Sequence, residues 1–135
     1  MSTLTPPPTP PVPAAPVMLV EDDPDIRAMI SQLLELEGFN VKACEDGHEA
    51  LNLLRGGERP FLILLDLMMP KMNGWQFRAE QMRDASLASI PVVVLSGDVR
   101  GQDPGSVRAD GYLKKPIDLD VLLEAVRRWG NRLKA

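Results

Sequence analysis

Two residue types that build disulfides and soft-metal sites are almost missing from this chain. Among its 135 residues there is one cysteine, Cys44, and one histidine, His48. A single cysteine excludes an internal disulfide, and neither residue has the partners that a cysteine or histidine metal site requires. We therefore expect Cys44 to be a small core residue and His48, at the polar start of a predicted helix, to be solvated.

A basic excess, a membrane-length apolar run and a secretory signal are also missing. The net charge is −4 at pH 7, which provides no electrostatic footprint for nucleic acid. No apolar run reaches the roughly 20 residues that cross a bilayer. The N-terminus has no basic stretch followed by an apolar core, as a signal peptide would. We therefore expect a cytoplasmic protein with neither a nucleic-acid partner nor a membrane partner.

Proline is concentrated at the N-terminus. Seven of the thirteen prolines fall within residues 1–16, and such a segment cannot bury an apolar core. It could dock in an aromatic groove, but a disordered extension requires no partner, so we assign no function to it. The chain as a whole is 44% hydrophobic and 25% charged, as in soluble globular proteins. We predict a disordered Pro-rich tail at 1–16 and one domain at 17–135.

Apolar runs that predict strands alternate along this domain with stretches that predict amphipathic helices. The runs that predict strands are 17–20, 39–44, 61–65, 90–95 and 111–116. The unbroken run before Asp66 is typical of a strand buried on both faces, as in a parallel sheet. The alternation predicts an α/β fold with helices on both faces of a parallel sheet, whose strands share one carboxyl edge.

Polar side chains collect at the carboxyl ends of these predicted strands. They are Glu21, Asp22, Asp66, Ser96 and Lys115. The carboxyl edge is where open α/β sheets hold their ligands. Asp23 is well placed to cap the first helix, but capping requires neither of the two acids before it. The sheet therefore turns residues that are distant in sequence into one predicted site.

Three neighbouring carboxylates would repel one another without a cation. Oxygen ligands of this kind suit a hard divalent ion, most naturally Mg²⁺. Lys115 adds a positive charge and Ser96 adds a hydroxyl donor. Together these groups could enclose an anion carried by Asp66, and the obvious anion is a phosphoryl group. Asp66 would then attack phosphorus in line while the cations offset the charge on the transferring oxygens.

Four segments of the chain form a specific combination. They are VEDDPDIR at 20–27, LDLMMPKMNG at 65–74, VVLSG at 93–97 and YLKKP at 112–116. In this order they resemble the acidic opening, the phosphorylation segment, the switch hydroxyl segment and the lysine segment of receiver domains of two-component response regulators. The resemblance covers about residues 17–133.

The resemblance implies a fold, a phosphoacceptor and a metal site. The implied fold is α/β, a flavodoxin-like (βα)5 arrangement with a doubly wound, five-stranded parallel sheet in the order 2-1-3-4-5. Asp66 is the implied phosphoacceptor, which would form an aspartyl phosphate. The implied cofactor is Mg²⁺, and its implied ligands are Glu21, Asp22, Asp66 and the backbone carbonyl of Met68.

The resemblance also implies roles for the hydroxyl and lysine segments. Ser96 and Lys115 would contact the phosphoryl group, and Tyr112 would turn inward when Ser96 moves. Pro116 follows Lys115 directly. Because cis peptide bonds occur almost only before proline, a cis bond here would aim the lysine toward the site.

One span departs from the family pattern. Between the switch hydroxyl and the fifth strand, where the family usually has a full helix, residues 97–110 include Gly101, Pro104 and Gly105 and almost no apolar face. Such a composition does not favour a stable helix. We predict a short or irregular fourth helix.

The resemblance implies a function in a two-component phosphorelay. The domain would take a phosphoryl group from a phosphohistidine on a sensor histidine kinase or a histidine phosphotransfer protein. It would then signal to a downstream protein target by contact. The chain ends at Ala135, soon after the last predicted helix, so we expect a single-domain regulator. On this interpretation it is not an enzyme beyond its own phosphorylation and dephosphorylation.

Three other functions fit parts of the pattern. A Mg²⁺-dependent phosphohydrolase with an aspartyl-phosphate intermediate commonly uses a second acid two residues after the nucleophile, where this chain has Met68. A receiver-like interaction module would need no phosphorylation, but the complete set of polar groups argues against it. A flavodoxin-like cofactor protein would have to place its phosphate beside three acids that repel it.

Overall fold

The computed structural model describes residues 13–69, 71–97 and 108–132. Its elements in chain order are β1 (Val17–Val20), α1 (Pro24–Leu36), β2 (Val41–Cys44), α2 (Gly47–Arg55), β3 (Leu62–Asp66), α3 (Gly74–Arg83), β4 (Val92–Ser96), β5 (Gly111–Lys114) and α4 (Leu119–Arg132). Within this described part of the chain, no helix combines the length and the apolarity needed to cross a membrane.

The five strands form one parallel sheet. Their order is β2-β1-β3-β4-β5, and each neighbouring pair is parallel. Parallel neighbours require crossover connections, and α1, α2 and α3 provide them between successive strands. The predicted doubly wound sheet in the order 2-1-3-4-5 is therefore confirmed.

An apolar core lies on each face of the sheet. Helices α2 and α3 cover one face, where Leu54 and Phe77 are fully buried. Helices α1 and α4 cover the other face with residues such as Leu34 and Val126. All five residues of β3 are buried between these layers, as the unbroken apolar run predicted. Asp66 is therefore carried by the central strand of the sheet, which is buried along its whole length.

Side-chain caps start the helices that follow the strand ends. The carboxylate of Asp23 accepts hydrogen bonds from the backbone N–H groups of Asp25 and Ile26, which confirms the predicted cap of α1. Asp118 caps α4 in the same way, and Asn73 caps α3. Such caps satisfy N–H groups that have no partner inside the helix. They fix where each helix begins relative to the carboxyl edge of the sheet.

Residues 13–16 lie against the domain ahead of β1. The side-chain amide of Asn40 donates to the carbonyl of Ala14 at 3.0 Å, and the backbone N–H of Phe61 donates to the carbonyl of Pro16 at 3.0 Å. Both contacts lie at the amino end of the sheet, opposite the edge that carries the polar side chains. The last part of the Pro-rich segment is thus bound to the domain.

Two predictions lie outside the described residues. The disordered tail remains a prediction for residues 1–12, and the short or irregular fourth helix remains a prediction for residues 98–107.

Gly74 begins α3 at a point where a side chain has no room. A Cβ atom there would lie 2.5 Å from Cδ2 of Leu67, 2.8 Å from Cα of Leu67 and 3.0 Å from the carbonyl oxygen of Asp66. Because two of these atoms belong to the backbone, Gly74→Ala would force the loop after β3 away from α3. We expect the free energy of unfolding, measured in urea, to fall by about 1–3 kcal/mol.

Gly97→Ala is the matched control. Its Cβ atom would lie 3.6 Å from two side-chain carbons of Lys115, an ordinary contact distance. We expect this variant to keep the unfolding midpoint of the natural chain. Equal losses of stability in both variants would contradict the explanation for Gly74.

Candidate functional site

The two acidic strand ends are neighbours in the sheet. β1 pairs with β3 so that Val20 lies opposite Leu65. Glu21 and Asp22 follow the first of these residues, and Asp66 follows the second, so their side chains leave the same edge. One carboxylate oxygen from each of the three acids lies within 4.8 Å of the others. The predicted acidic cluster is therefore present.

Lys115 joins this acidic cluster from the segment after β5. Its Nζ atom lies 2.9 Å from Oε1 of Glu21 and 3.4 Å from Oδ1 of Asp66. The Lys115–Pro116 peptide bond is cis, the possibility that the sequence analysis raised. The ammonium pairs with two of the three carboxylates, so the site keeps an excess of negative charge when all three are ionised.

Burial shifts the protonation of Asp66 and Asp22. Glu21 is 0% exposed and Asp66 is 2% exposed. Burial, together with the adjacent Glu21 carboxylate, raises the pKa of Asp66 to about 7 against the opposing charge of Lys115. Burial and then Asp66 also raise the pKa of Asp22. The metal-free site therefore favours a proton on Asp66 up to near neutral pH.

The pKa of Lys115 is also raised, which favours the charged form of this side chain. Burial disfavours its charged form, but the hydrogen bond to Glu21 and the charge of Asp66 outweigh burial, and its pKa is raised. The ammonium is therefore charged at neutral pH. It is the cation that compensates the buried carboxylates.

The acidic cluster fits a hard divalent cation. Oε2 of Glu21 is buried and, among the described residues, has no hydrogen-bond partner. A buried acceptor left unpaired costs about 1–3 kcal/mol, or more when it is charged, so a cation at this oxygen would be strongly favoured. Carboxylate oxygens are the ligands that Mg²⁺ prefers in proteins. Glu21, Asp22 and Asp66 are therefore the side chains that could hold it.

Met68 and Ser96 lie close to Asp66 in the chain and in the sheet. The backbone N–H of Met68 donates to Oδ1 of Asp66 at 3.2 Å and limits the rotation of that carboxylate. Ser96 ends β4, where the preceding residue, Leu95, pairs with Asp66. Its side chain is buried at this edge, and its carbonyl accepts a hydrogen bond from the backbone N–H of Lys115. The role of the Met68 carbonyl as a Mg²⁺ ligand and the role of the Ser96 hydroxyl in contacting the phosphoryl group remain predictions.

Tyr112, the predicted switch aromatic, is exposed and lies outside the acidic cluster. It lies on β5 opposite Val94, and its hydroxyl accepts a hydrogen bond from the backbone N–H of Ala109 at 3.2 Å. The inward turn of its ring remains a prediction.

Arg27 is a residue at this edge to which the sequence analysis gave no role. Its Nη1 atom donates to the backbone carbonyls of Glu21 at 2.9 Å and of Asp22 at 3.3 Å. A sequence signal was available, because Arg27 is the only lysine or arginine among the first 41 residues and follows the acidic run.

Cys44 and His48 lie outside the site, as expected. Cys44 is buried, and burial with the charges of Glu49 and Asp46 raises the pKa of its thiol to about 12. Such a thiol stays protonated and unreactive at neutral pH. His48 is exposed at the start of α2.

Residues 17–127 match the family model of the response regulator receiver domain. The chain belongs to this family. The match covers all five strands and every residue of the acidic cluster.

Several sequenced relatives resemble this receiver domain. It is 36% identical over 117 residues to the DNA-binding dual master transcriptional regulator RpaA of Synechocystis sp., covering 82% of this chain and 47% of RpaA. It is 30% identical over 113 residues to the protein PilH of Pseudomonas aeruginosa, covering 82% of this chain and 93% of PilH. The chain therefore spans about half the length of RpaA and nearly all of PilH.

Solved structures show the same architecture. The receiver domain of a signal transduction histidine kinase from Syntrophus aciditrophicus matches with a TM-score of 0.78 and 30% identity, over 90% of this chain and 93% of that one. The chemotaxis response regulator CheY4 of Vibrio cholerae matches with a TM-score of 0.75 and 30% identity, over 85% and 98% of the two chains. The flavodoxin-like fold predicted from the sequence is thus confirmed.

Proposed function

We propose that this receiver domain is a phosphoacceptor switch in which Asp66 takes a phosphoryl group from a phosphohistidine. The observation that carries the proposal is the buried Asp66 carboxylate beside Glu21, Asp22 and the Lys115 ammonium. A carboxylate at the end of a buried strand is held in a fixed position. The Lys115 ammonium beside it can stabilise the negative charge of a phosphoryl group that the carboxylate accepts. Membership of the receiver family supports the same assignment.

Each residue of the site has a separate role in the phosphoryl transfer. An oxygen of ionised Asp66 attacks phosphorus, the new P–O bond forms as the P–N bond of the phosphohistidine breaks, and the imidazole leaves. The Lys115 ammonium, already 3.4 Å from Oδ1, stabilises the charge on the transferring oxygens. The Met68 N–H keeps the attacking carboxylate oriented. Mg²⁺ would supply further charge neutralisation, held by Glu21, Asp22, Asp66 and the Met68 carbonyl.

Phosphorylation would shift the domain between two conformations, which differ in the packing around Ser96 and Tyr112. In the proposed switch, Ser96 and Lys115 contact the phosphoryl group, and Tyr112 turns inward from its exposed position. The shift changes affinity for a downstream protein target. The phosphodonor is a sensor histidine kinase or a histidine phosphotransfer protein. The reaction is the domain's own phosphorylation and dephosphorylation, with no other substrate.

The output is proposed to be protein contact by a single-domain, cytoplasmic regulator. The similarity to nearly the whole of PilH supports a single-domain regulator. RpaA is described as DNA-binding and is about twice as long as the matched region, so a nucleic-acid partner would be expected only with further sequence of that kind. The net charge of −4 also argues against direct binding of nucleic acid by this domain.

The proposal is tested by intact-mass spectrometry after incubation with Mg²⁺ and a small acyl phosphate. We expect one phosphoryl adduct on the natural chain, none after addition of EDTA, and none on Asp66→Asn. Asp120→Asn, which changes an exposed acid in the first turn of α4, should keep the adduct. An adduct on Asp66→Asn would exclude Asp66 as the acceptor. A natural chain that neither gains an adduct nor responds to Mg²⁺ would indicate the unphosphorylated interaction module instead.

A further inference from the structure

Three consecutive backbone carbonyls accept hydrogen bonds from Arg27. Its side-chain Nη1 donates to the carbonyls of Glu21 at 2.9 Å and Asp22 at 3.3 Å. Its backbone N–H donates to the carbonyl of Asp23 at 2.9 Å. A single residue of α1 therefore holds the whole turn between β1 and that helix.

This arrangement fixes the backbone from which two of the acids project. The N–H of Glu21 is bonded to the carbonyl of Cys44 at 3.1 Å, which anchors the start of the turn to β2. Arg27 then holds the carbonyls of Glu21 and Asp22, so the two peptide planes that flank Asp22 cannot rotate freely. Hydrogen bonds with a charged donor are stronger than those between neutral groups. The direction of the Glu21 and Asp22 carboxylates toward Asp66 depends on these planes.

The charge of Arg27 and its contacts have opposite expected effects on a bound cation. A guanidinium near an acidic cluster repels a divalent cation, so removal of the charge alone would tighten cation binding. Removal of the contacts to the two carbonyls would loosen the acids and weaken binding. The sign of the change in affinity therefore separates the two roles.

We infer that Arg27 is a positioning residue that holds the Glu21–Asp22 backbone so that both carboxylates converge with Asp66 on a divalent cation. The inference deepens the proposed function and rests on it. Arg27 acts through two backbone carbonyls and touches neither the cation nor the phosphoryl group. Removal of the Arg27 side-chain contacts should therefore raise the Mg²⁺ concentration needed for half-maximal binding. The rate of phosphorylation at saturating Mg²⁺ should stay close to that of the natural chain.

The test compares Arg27→Gln and Arg27→Lys with Arg59→Gln in Mg²⁺ titrations. Arg59 is a matched control, because its Nη1 atom also donates to two backbone carbonyls, those of Leu54 and Glu58 at 2.7 and 2.8 Å, away from the acidic cluster. Binding is followed by tryptophan fluorescence without a phosphodonor. Phosphorylation by an acyl phosphate is then measured across the same Mg²⁺ range.

We expect Arg27→Gln to raise the half-saturating Mg²⁺ concentration about tenfold or more, the range found when groups that orient metal ligands are removed. Arg27→Lys, which keeps the charge and one donor group, should fall between Arg27→Gln and the natural chain. Arg59→Gln should bind Mg²⁺ as the natural chain does. If Arg27→Gln does not fold, the weaker binding of Arg27→Lys decides the question.

Unchanged or tighter Mg²⁺ binding in the Arg27 variants, with normal binding by the natural chain, would overturn this inference and leave the proposed function intact. Weaker binding that appears equally in Arg59→Gln would also overturn it, because the effect would then be general to the fold. Failure of the natural chain itself to bind Mg²⁺ would overturn both the inference and the proposed function.

Discussion

Asp66→Asn is expected to make the metal-free domain more stable than the natural chain at pH 8, by about 1–4 kcal/mol. The reason lies in the burial of Asp66 beside Glu21, which raises the pKa of the Asp66 carboxyl to about 7. At pH 8 the natural chain must hold an ionised carboxylate in a place that disfavours it. Asparagine has nearly the same shape and removes that charge, while Lys115 keeps its closer partner, Glu21.

The pH dependence follows from the direction of this shift. The ordinary pKa of an aspartate is 3.8, and the folded value for Asp66 is about 7. The folded state therefore holds the proton more tightly than the unfolded state, and stability falls as the pH rises between about 4 and about 7. The advantage of Asp66→Asn should be absent below pH 4, grow through this window and level off above pH 7. Urea unfolding in EDTA at several pH values measures it.

Two comparisons make the Asp66→Asn result specific. The pKa of Asp84 is lowered by hydrogen bonds from Ser86, so Asp84→Asn should give no gain of stability at any pH. Mg²⁺ should stabilise the natural chain and have little effect on Asp66→Asn, because a ligand that binds only the folded state raises stability. If Asp66→Asn is less stable than the natural chain in EDTA at pH 8, this would contradict the claim that the buried, ionised Asp66 carboxylate destabilises the metal-free domain.

Lys115→Ala is expected to lower the free energy of unfolding in EDTA at pH 8 by about 3–5 kcal/mol, as when one member of a buried ion pair is removed. The Lys115 ammonium lies 2.9 Å from Oε1 of Glu21, whose side chain is fully buried. Without it, the Glu21 and Asp66 carboxylates are enclosed together, and no other side chain in the described part of the chain forms an ion pair with either of them. Mg²⁺ should restore part of the loss, and should stabilise this variant more than it stabilises the natural chain.

Arg127→Ala is the control for Lys115→Ala. Arg127 also pairs with a glutamate, Glu37, at 2.6 Å, but both side chains are more than one third exposed. An exposed ion pair contributes about 0–1 kcal/mol, so this variant should lose little stability and show no added response to Mg²⁺. Similar losses in the two variants would show that the Lys115 ammonium does not compensate buried charge. The double variant Lys115→Ala/Asp66→Asn should be more stable than Lys115→Ala.

The sequence predicted the sheet and its acidic cluster because both follow from the apolar runs that form the strands and from the polar residues that follow those runs. An unbroken apolar run of five residues before Asp66 indicates a strand buried on both faces, and β3 is one. Parallel strands end at one edge, so Glu21, Asp22 and Asp66 had to meet once the strands were adjacent. The motif segments then placed Lys115 at the same edge, where the structure has it.

Gln81 shows what periodicity does not reveal. In the sequence it interrupts the apolar face of α3, yet it is fully buried in the structure. Its amide nitrogen donates to the carbonyls of Leu87 and Ile90 at 3.0 Å, and its oxygen accepts from Arg78 at 2.8 Å. A polar side chain can be buried where loop carbonyls need donors. Which carbonyls need them depends on the path of the loop, and the sequence pattern does not encode that path locally.

The same limit applies to Arg27. Its position one turn into α1 is visible in the sequence, but the direction of its guanidinium toward the Glu21 and Asp22 carbonyls depends on how the chain bends after β1. Side-chain contacts to backbone groups are set by such local geometry and carry no repeating signature. They were therefore found only once the turn could be seen.

The contacts of residues 13–16 determine where an added N-terminal element would sit. Ala14 and Pro16 are bound at the amino end of the sheet, and Asp66 lies at the carboxyl end. Strands of four or five residues separate the two ends by roughly 15 Å. An affinity tag or fusion partner placed ahead of Pro13 would start on the far side of the domain from the edge that carries Asp66. A phosphodonor acting on Asp66, as proposed, would approach the end of the domain opposite Pro16.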